Sequence, residues 1–132
     1  MILIDANIFM YAAGADHAYK APSAEFLRRI ANGEVEAAVD TEALQEILHR
    51  YRAMGSWEDG RRVYESARRI VPVSIPITVE VLDAARDLLS SHRQPTVRDA
   101  IHAAVALGAE VEAICSYDRD FDGVPGLRRI HP

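Results

Sequence analysis

The sequence has little with which to crosslink or anchor itself. Cys115 is the only cysteine, so an internal disulfide is excluded, and a lone thiol fits a reducing cytoplasm. The five histidines are scattered and cannot build a Cys/His zinc cluster around one thiol. Long apolar runs are missing too. A stretch such as Ile8 to Ala13 falls far short of the roughly 20 residues that a membrane-spanning helix needs. Met1-Ile2-Leu3-Ile4 meets Asp5 at once and has no basic flank, so it does not read as a signal peptide. Lysine is almost absent, Lys20 being the only one among 15 basic residues. The arginine bias suits bidentate phosphate contact, but genome composition produces the same bias, so it carries little weight. Net positive charge is absent as well. At −5 the chain does not grip nucleic acid by bulk electrostatics, although an acidic site that works through bound cations stays open.

What remains is an ordinary globular composition with near-zero mean hydropathy, in 132 residues without repeat, low-complexity tract or linker. That length suits one domain over residues 1–132. Short β-type runs alternate with helical stretches. Ile2-Leu3-Ile4 reads as a buried strand and Ile8 to Gly14 as a short helix. Pro22 opens a second helix with Phe26, Leu27 and Ile30 inward and Asn32-Gly33 as its stop. Val35 to Val39 is a second strand. From Thr41 a helix carries Leu44, Ile47, Leu48 and Tyr51 at helical spacing. Gly55-Ser56 ends it, and Ser56-x-x-Asp59 has the form of a capping box. Val71 to Ile75 is a third strand, Thr78 to Leu89 an amphipathic helix, and Thr96-x-x-Asp99 caps another that ends at Gly108. Ala113 to Cys115 and Leu127 to Ile130 complete about five strands. Strands joined by helical crossovers imply a mostly parallel sheet with helices on both faces, an α/β fold.

Ligands of such sheets bind at the carboxyl ends of the strands, which turns a list of acids into a geometry. Asp5 follows strand one and Asp118 follows strand four. Asp99 opens the helix leading into strand four, and Glu46 lies in the second turn of the helix after strand two. All four can share one edge. Hard divalent cations take oxygen ligands, and a phosphodiesterase site that holds two of them needs carboxylates from separate segments. Carboxylates crowded within about 4–6 Å also repel, so at least one should have a raised pKa, and neutralising Asp5 should stabilise the metal-free protein.

Four blocks meet a known family: Ile2-Leu3-Ile4-Asp5-Ala6-Asn7-Ile8, Thr41-Glu42-Ala43-Leu44-Gln45-Glu46-Ile47, Arg98-Asp99-Ala100-Ile101-His102-Ala103-Ala104 and Ser116-Tyr117-Asp118-Arg119-Asp120-Phe121. Together, in order and across nearly the whole chain, they resemble the PIN-domain nucleases, most of all the VapC-type toxins of toxin–antitoxin pairs. The resemblance implies a three-layer α/β/α sandwich, Mg²⁺- or Mn²⁺-dependent endoribonuclease activity, an RNA substrate, an antitoxin partner and a homodimer. By motif position Asp5, Glu46, Asp99 and Asp118 fall on the family's acidic metal-site residues. Asn7 matches the supporting Asn, and Ser116 stands where many members carry Thr. Tyr117 replaces a commonly small residue and is expected to narrow the rim.

Each residue also has an ordinary role open to it. Asp5 can cap a helix, Asp99 can be the N3 partner of Thr96, and Glu46 can pair with Arg50 one turn on. Asp118 sits in an acidic turn with Asp120 and Asp122, and Asp122 is a further candidate ligand. Glu42 competes with Glu46 from one turn earlier. His102 reads as a packed or hydrogen-bonded helix histidine with no evident partner, Cys115 as a buried small hydrophobe, and Trp57 and Tyr64 as core or subunit contacts. Arg50, Arg98 and Arg119 each lie beside an acid of the quartet and are candidate phosphate contacts. Phosphotransferases of the haloacid-dehalogenase type and response-regulator receivers also place an aspartate after strand one. Both want a late lysine, and the first wants an acid at position seven, where this chain has Asn7. A stand-alone RNA-processing PIN nuclease stays open as a second biology. So does a non-catalytic module whose acids hold a basic partner segment.

Overall fold

The computed structural model describes residues 1–132. Its elements run β1 (Ile2–Ile4), α1 (Ala6–Ala13), α2 (Lys20–Ala31), β2 (Ala37–Asp40), α3 (Thr41–Ala53), α4 (Trp57–Ile70), β3 (Ser74–Ile75), α5 (Val79–Ser91), α6 (Val97–Gly108), β4 (Ala113–Cys115), a 3₁₀ turn (Arg119–Gly123) and β5 (Arg129–Ile130). The sheet order is β3-β2-β1-β4-β5 and every pairing is parallel.

Strand alternation sorts the core into two layers. Ile4, Ala37, Val39 and Cys115 face α1 to α4, where they meet Ile8, Phe9, Phe26, Leu27, Leu44, Ile47 and Val63. Leu3, Ala38 and Ile114 face the other way, onto Val105, Ala106 and Phe121, and a smaller cluster joins α5 to α6 through Ala85, Ala100, Ile101 and Ala104. This is the three-layer α/β/α sandwich. Tyr64 packs against the larger core, whereas Trp57 stays 39% exposed with the Arg52 guanidinium over its ring. The α3–α4 hairpin is tight because Gly60 has no side chain: a Cβ there would lie 2.4 Å from Tyr51 Cβ.

Three expectations shift, each for a local reason. Of Val71 to Ile75 only Ser74–Ile75 forms a strand, with Val73 O accepting from Val39 N at 3.0 Å just before it, since Pro72 lacks an N–H and Val71 is spent as the buried C-cap of α4. Ser56 is the N-cap of α4 but makes no side-chain cap. Gly55 turns the chain at φ +72°, and backbone bonds from Ser56 N to Tyr51 O and from Gly60 N to Ser56 O close that turn instead. Helix α1 begins at Ala6, two residues earlier than the apolar pattern indicates, because the Asp5 carboxylate accepts from Ala6 N at 2.7 Å. The early start puts Asn7 in the first turn, where its side chain reaches Asp5 and Ser116.

Strands β2 and β3 lie on one side of β1, and β4 and β5 on the other, so the direction of winding reverses between β1 and β4. A crevice opens beyond the strand ends at such a switch point. Asp5 sits at its base, tied by its N–H to Cys115 O at 3.0 Å. No helix is long and apolar enough to cross a membrane.

Candidate active site

Asp5 is oriented before any ligand arrives. It is 6% exposed; one carboxylate oxygen accepts from Ala6 N, and the other accepts from Ser116 Oγ at 2.6 Å and from Asn7 Nδ2 at 3.2 Å. Asn7 Nδ2 is also 3.0 Å from Ser116 Oγ, and that same oxygen accepts from Asp118 N at 3.0 Å. Asn7 and Ser116 therefore join the end of β1 to the loop after β4, fixing Asp5 relative to Asp118.

The other acids come from separate segments. Asp99 is buried in a complete capping box with Thr96, so its ordinary role and its place at the site coexist. Glu46, partly buried on α3, is 3.1 Å from Arg98 Nη1 and 3.9 Å from Arg50 Nη1. Asp118 caps the 3₁₀ turn by accepting from Asp120 N at 2.9 Å. Asp5, Glu46, Asp99 and Asp118 all line one cleft of about 840 Å³, together with Asn7, Arg50, Arg98 and His102.

The quartet divides into two pairs, and each gains a member: His102 from the cleft itself, and the exposed Asp120 from beside it. Ligand atoms of Asp5, Glu46 and His102 lie within 4.8 Å of one another, as do those of Asp99, Asp118 and Asp120. Mostly hard oxygen donors, gathered from four segments, are a donor set that fits Mg²⁺ or Mn²⁺.

Several candidates fall elsewhere. Asp122 is held in a bidentate pair with Arg129 at 2.8 and 3.0 Å, so Asp120 takes the place considered for it. Neither Glu42 nor Arg119 lines the cleft. Tyr117 does not itself line the cleft: its ring stacks on Tyr19 at 3.9 Å and meets edge-on Tyr11, which does line it. Cys115 is fully buried, and burial followed by the charge of Asp5 pushes its thiol up to about 12.

Electrostatics follow burial more than crowding. Desolvation is the main cause that raises the Asp5, Glu46 and Asp99 carboxyls above their usual range. Neighbouring charge adds to it, from Asp40 for Asp5, from Asp5 for Glu46, and from Asp118 and Asp120 for Asp99. His102 lowers Asp5 in turn, so a cation already offsets part of the expected repulsion.

The sequence pattern missed the partner of His102. Its Nδ1 is 2.6 Å from Asp40 Oδ2, and the fully buried Asp40 uses its other oxygen to accept from Ala43 N at 2.8 Å. Burial alone would lower the His102 pKa; the Asp40 hydrogen bond and the charges of Asp40, Asp5 and Glu46 outweigh it and raise it to about 9. One signal was available. Asp40 ends the apolar run Ala37–Val39 as Asp5 ends Ile2–Ile4, and both cap the following helix.

Comparison with known proteins gives the arrangement its context. The family described as PIN domain matches residues 2–127. The chain is 35% identical over 130 residues to ribonuclease VapC13 of Mycobacterium tuberculosis, covering 98% of this chain and 99% of that protein. The fold superposes on VapC20 of Mycobacterium tuberculosis, described as a sarcin-ricin loop cleaving toxin, with TM-score 0.79 at 17% identity and full coverage of both chains. It also superposes on a chain of the Rickettsia felis VapBC2 complex bound to promoter DNA, with TM-score 0.78 at 15% identity over 99% of this chain and 98% of that one. A match along nearly the whole chain, with an acidic cleft at the strand ends, makes this protein a member of the PIN-domain family, among the VapC ribonucleases.

Proposed function

We propose that the chain is a Mg²⁺- or Mn²⁺-dependent endoribonuclease, the toxin of a toxin–antitoxin pair, with Asp5, Glu46, Asp99 and Asp118 as its metal-holding carboxylates. The observation that carries this reading is the meeting of those four acids, from four chain segments, in one cleft at the carboxyl edge of the sheet. A divalent ion held there supplies Lewis acidity toward water and the scissile phosphodiester.

The chain's own part is preorganisation. Ser116 and Asn7 hold the Asp5 carboxylate in one rotamer, and Thr96 does the same for Asp99. Arg50 and Arg98 rest on Glu46 and are free to swing to phosphates flanking the scissile bond. They give an acidic protein a local grip on an acidic polymer. A guanidinium already pairs with Glu46 in the cleft, so an antitoxin's basic side chain finds a matching environment there. A structure of similar fold, described as a toxin–antitoxin complex from Klebsiella pneumoniae and superposing with TM-score 0.68, supports this partner. Apolar side chains exposed on α5 and α6, Leu82, Val97 and Leu107 among them, favour association of two copies.

The test is cleavage of total RNA by the purified protein with Mg²⁺, Mn²⁺ or EDTA, followed by mapping of fragment ends. Discrete cuts that need the metal and vanish in Asp5→Asn are the expected result. Cutting that survives EDTA and the substitution, in protein cleared of contaminating nuclease, would overturn the assignment.

A further inference from the structure

Buried deepest in the cleft is a residue that the carboxylate reading leaves without a task. His102 is 2% exposed, and its Nε2 is a buried ring nitrogen with no hydrogen-bond partner. Its other nitrogen is committed. Asp40 offers only an acceptor, so Nδ1 carries the hydrogen of the 2.6 Å bond. Asp40 cannot turn away to release it, because its second oxygen caps α3 through Ala43 N. The ring is thus clamped with Nε2 turned toward Asp5 and Glu46, where a metal ion would take the place of the proton that the charged ring carries.

The distances suit a bridging ion better than a hydrogen bond. Nε2 is 3.8 Å from Asp5 Oδ1, too long for a direct bond. Ligand bonds of roughly 2.0–2.2 Å from nitrogen and from oxygen to a common ion span that gap. Glu46 completes the set within 4.8 Å. A metal-bound histidine almost always donates its other N–H to a carboxylate or carbonyl, which fixes its tautomer and strengthens it as a ligand. Asp40 stands in that relation to His102.

We propose that His102 Nε2 is a direct ligand of the ion held by Asp5 and Glu46, with Asp40 as its positioning residue. Imidazole favours transition ions, so the nitrogen biases this half of the cleft toward Mn²⁺ over Mg²⁺. The inference rests on the reading of the cleft as a metal site. Its rival is a purely structural His102, a cation that bridges Asp40 and Asp5 and repels an incoming metal.

Two measurements on the purified protein separate these. Mn²⁺ and Mg²⁺ are titrated calorimetrically into wild type, His102→Gln and Asp40→Asn. Pulsed electron paramagnetic resonance of the Mn²⁺ form, with ¹⁵N-labelled histidine, then reports any directly bound ring nitrogen. The expected spectrum shows one histidine nitrogen in wild type and in His17→Gln, a histidine that also lines the cleft, and none in His102→Gln. Mn²⁺ affinity should fall roughly 10- to 100-fold in Asp40→Asn and at least as far in His102→Gln, with a smaller loss for Mg²⁺. Mn²⁺ that binds wild type without nitrogen coupling, or binds His102→Gln as tightly or more tightly, overturns the histidine ligand and leaves the carboxylate site standing. Failure of wild type to bind Mn²⁺ at all overturns both. The spectrum is taken on wild type, so the answer does not depend on the variants folding.

Discussion

Raising the pH of the metal-free protein from 6.5 to 9 should cost it a large part of its stability. The cause is His102, buried and clamped between carboxylates, whose pKa rises from 6.5 to about 9 on folding. A group whose folded pKa is raised binds its proton more tightly in the native state. Its contribution is complete below 6.5 and is lost as the pH climbs through 9. At about 1.4 kcal/mol per pH unit, the interval amounts to about 3 kcal/mol. For a chain of this size that is roughly 10 °C in melting temperature. The buried carboxyls act in the opposite region. Asp5, Glu46 and Asp99 have raised pKa values, so they weaken the fold at neutral pH and relax on acidification. The assay is a series of thermal or urea melts in EDTA between pH 6 and 9.5, on wild type and Asp40→Asn. That substitution removes the charge that holds the proton and should flatten the slope. A wild-type melting temperature constant from 6.5 to 9, or an equal slope in Asp40→Asn, would refute the reasoning.

The remaining expectations concern the acids and arginines. Asp5→Asn should abolish cleavage and, contrary to simple charge crowding, destabilise the metal-free protein by about 1–3 kcal/mol, because its new amide group faces the donors Asn7 Nδ2 and Ser116 Oγ. The same variant should lose most of the stabilisation that metal gives wild type, about 2.7 kcal/mol at a hundredfold excess over Kd; melts with EDTA and with Mn²⁺ read both quantities. Glu46→Gln and Asp99→Asn should each cut single-turnover cleavage by at least a hundredfold, while Glu42→Gln, outside the cleft, should stay within threefold of wild type. Replacing Arg50 and Arg98 together with Gln should reduce the salt slope of RNA binding by about two, with Arg119→Gln changing it little; binding isotherms across a salt series decide.

Much of the fold could be read from the chain because its determinants are local. Ile2-Leu3-Ile4 before Asp5 states a strand, and Thr96-x-x-Asp99 before an apolar stripe states cap and helix, each within a few residues, and both form as the pattern indicates. The pattern fails where backbone bonding decides. Ser56 has the residues of a capping box, but the turn at Gly55 satisfies the helix ends through the main chain and leaves the side chain unused. In β3 the apolar character of Val71 to Ile75 says nothing about which N–H groups reach β2; Pro72 limits that, and two residues pair.

The site divides along the same line. That the four candidate acids line one cleft was legible because parallel topology sends every strand end to one edge, so position in the chain stood for position in space. The way each acid is held was not. Asp5 and Ser116 are 111 residues apart and Asp40 and His102 are 62 apart, and no periodicity connects either pair. Asp40 was legible as a helix cap and nothing more, since one oxygen suffices for that task and the second is invisible in sequence. Burial makes the second oxygen matter. A fully buried carboxylate with one hydrogen bond needs another partner, and the only partner to reach it is a histidine from α6, packed across the end of the sheet. The same contact turns the other face of that ring toward Asp5, so satisfying a buried cap and furnishing a nitrogen at the carboxylate cluster are one structural event.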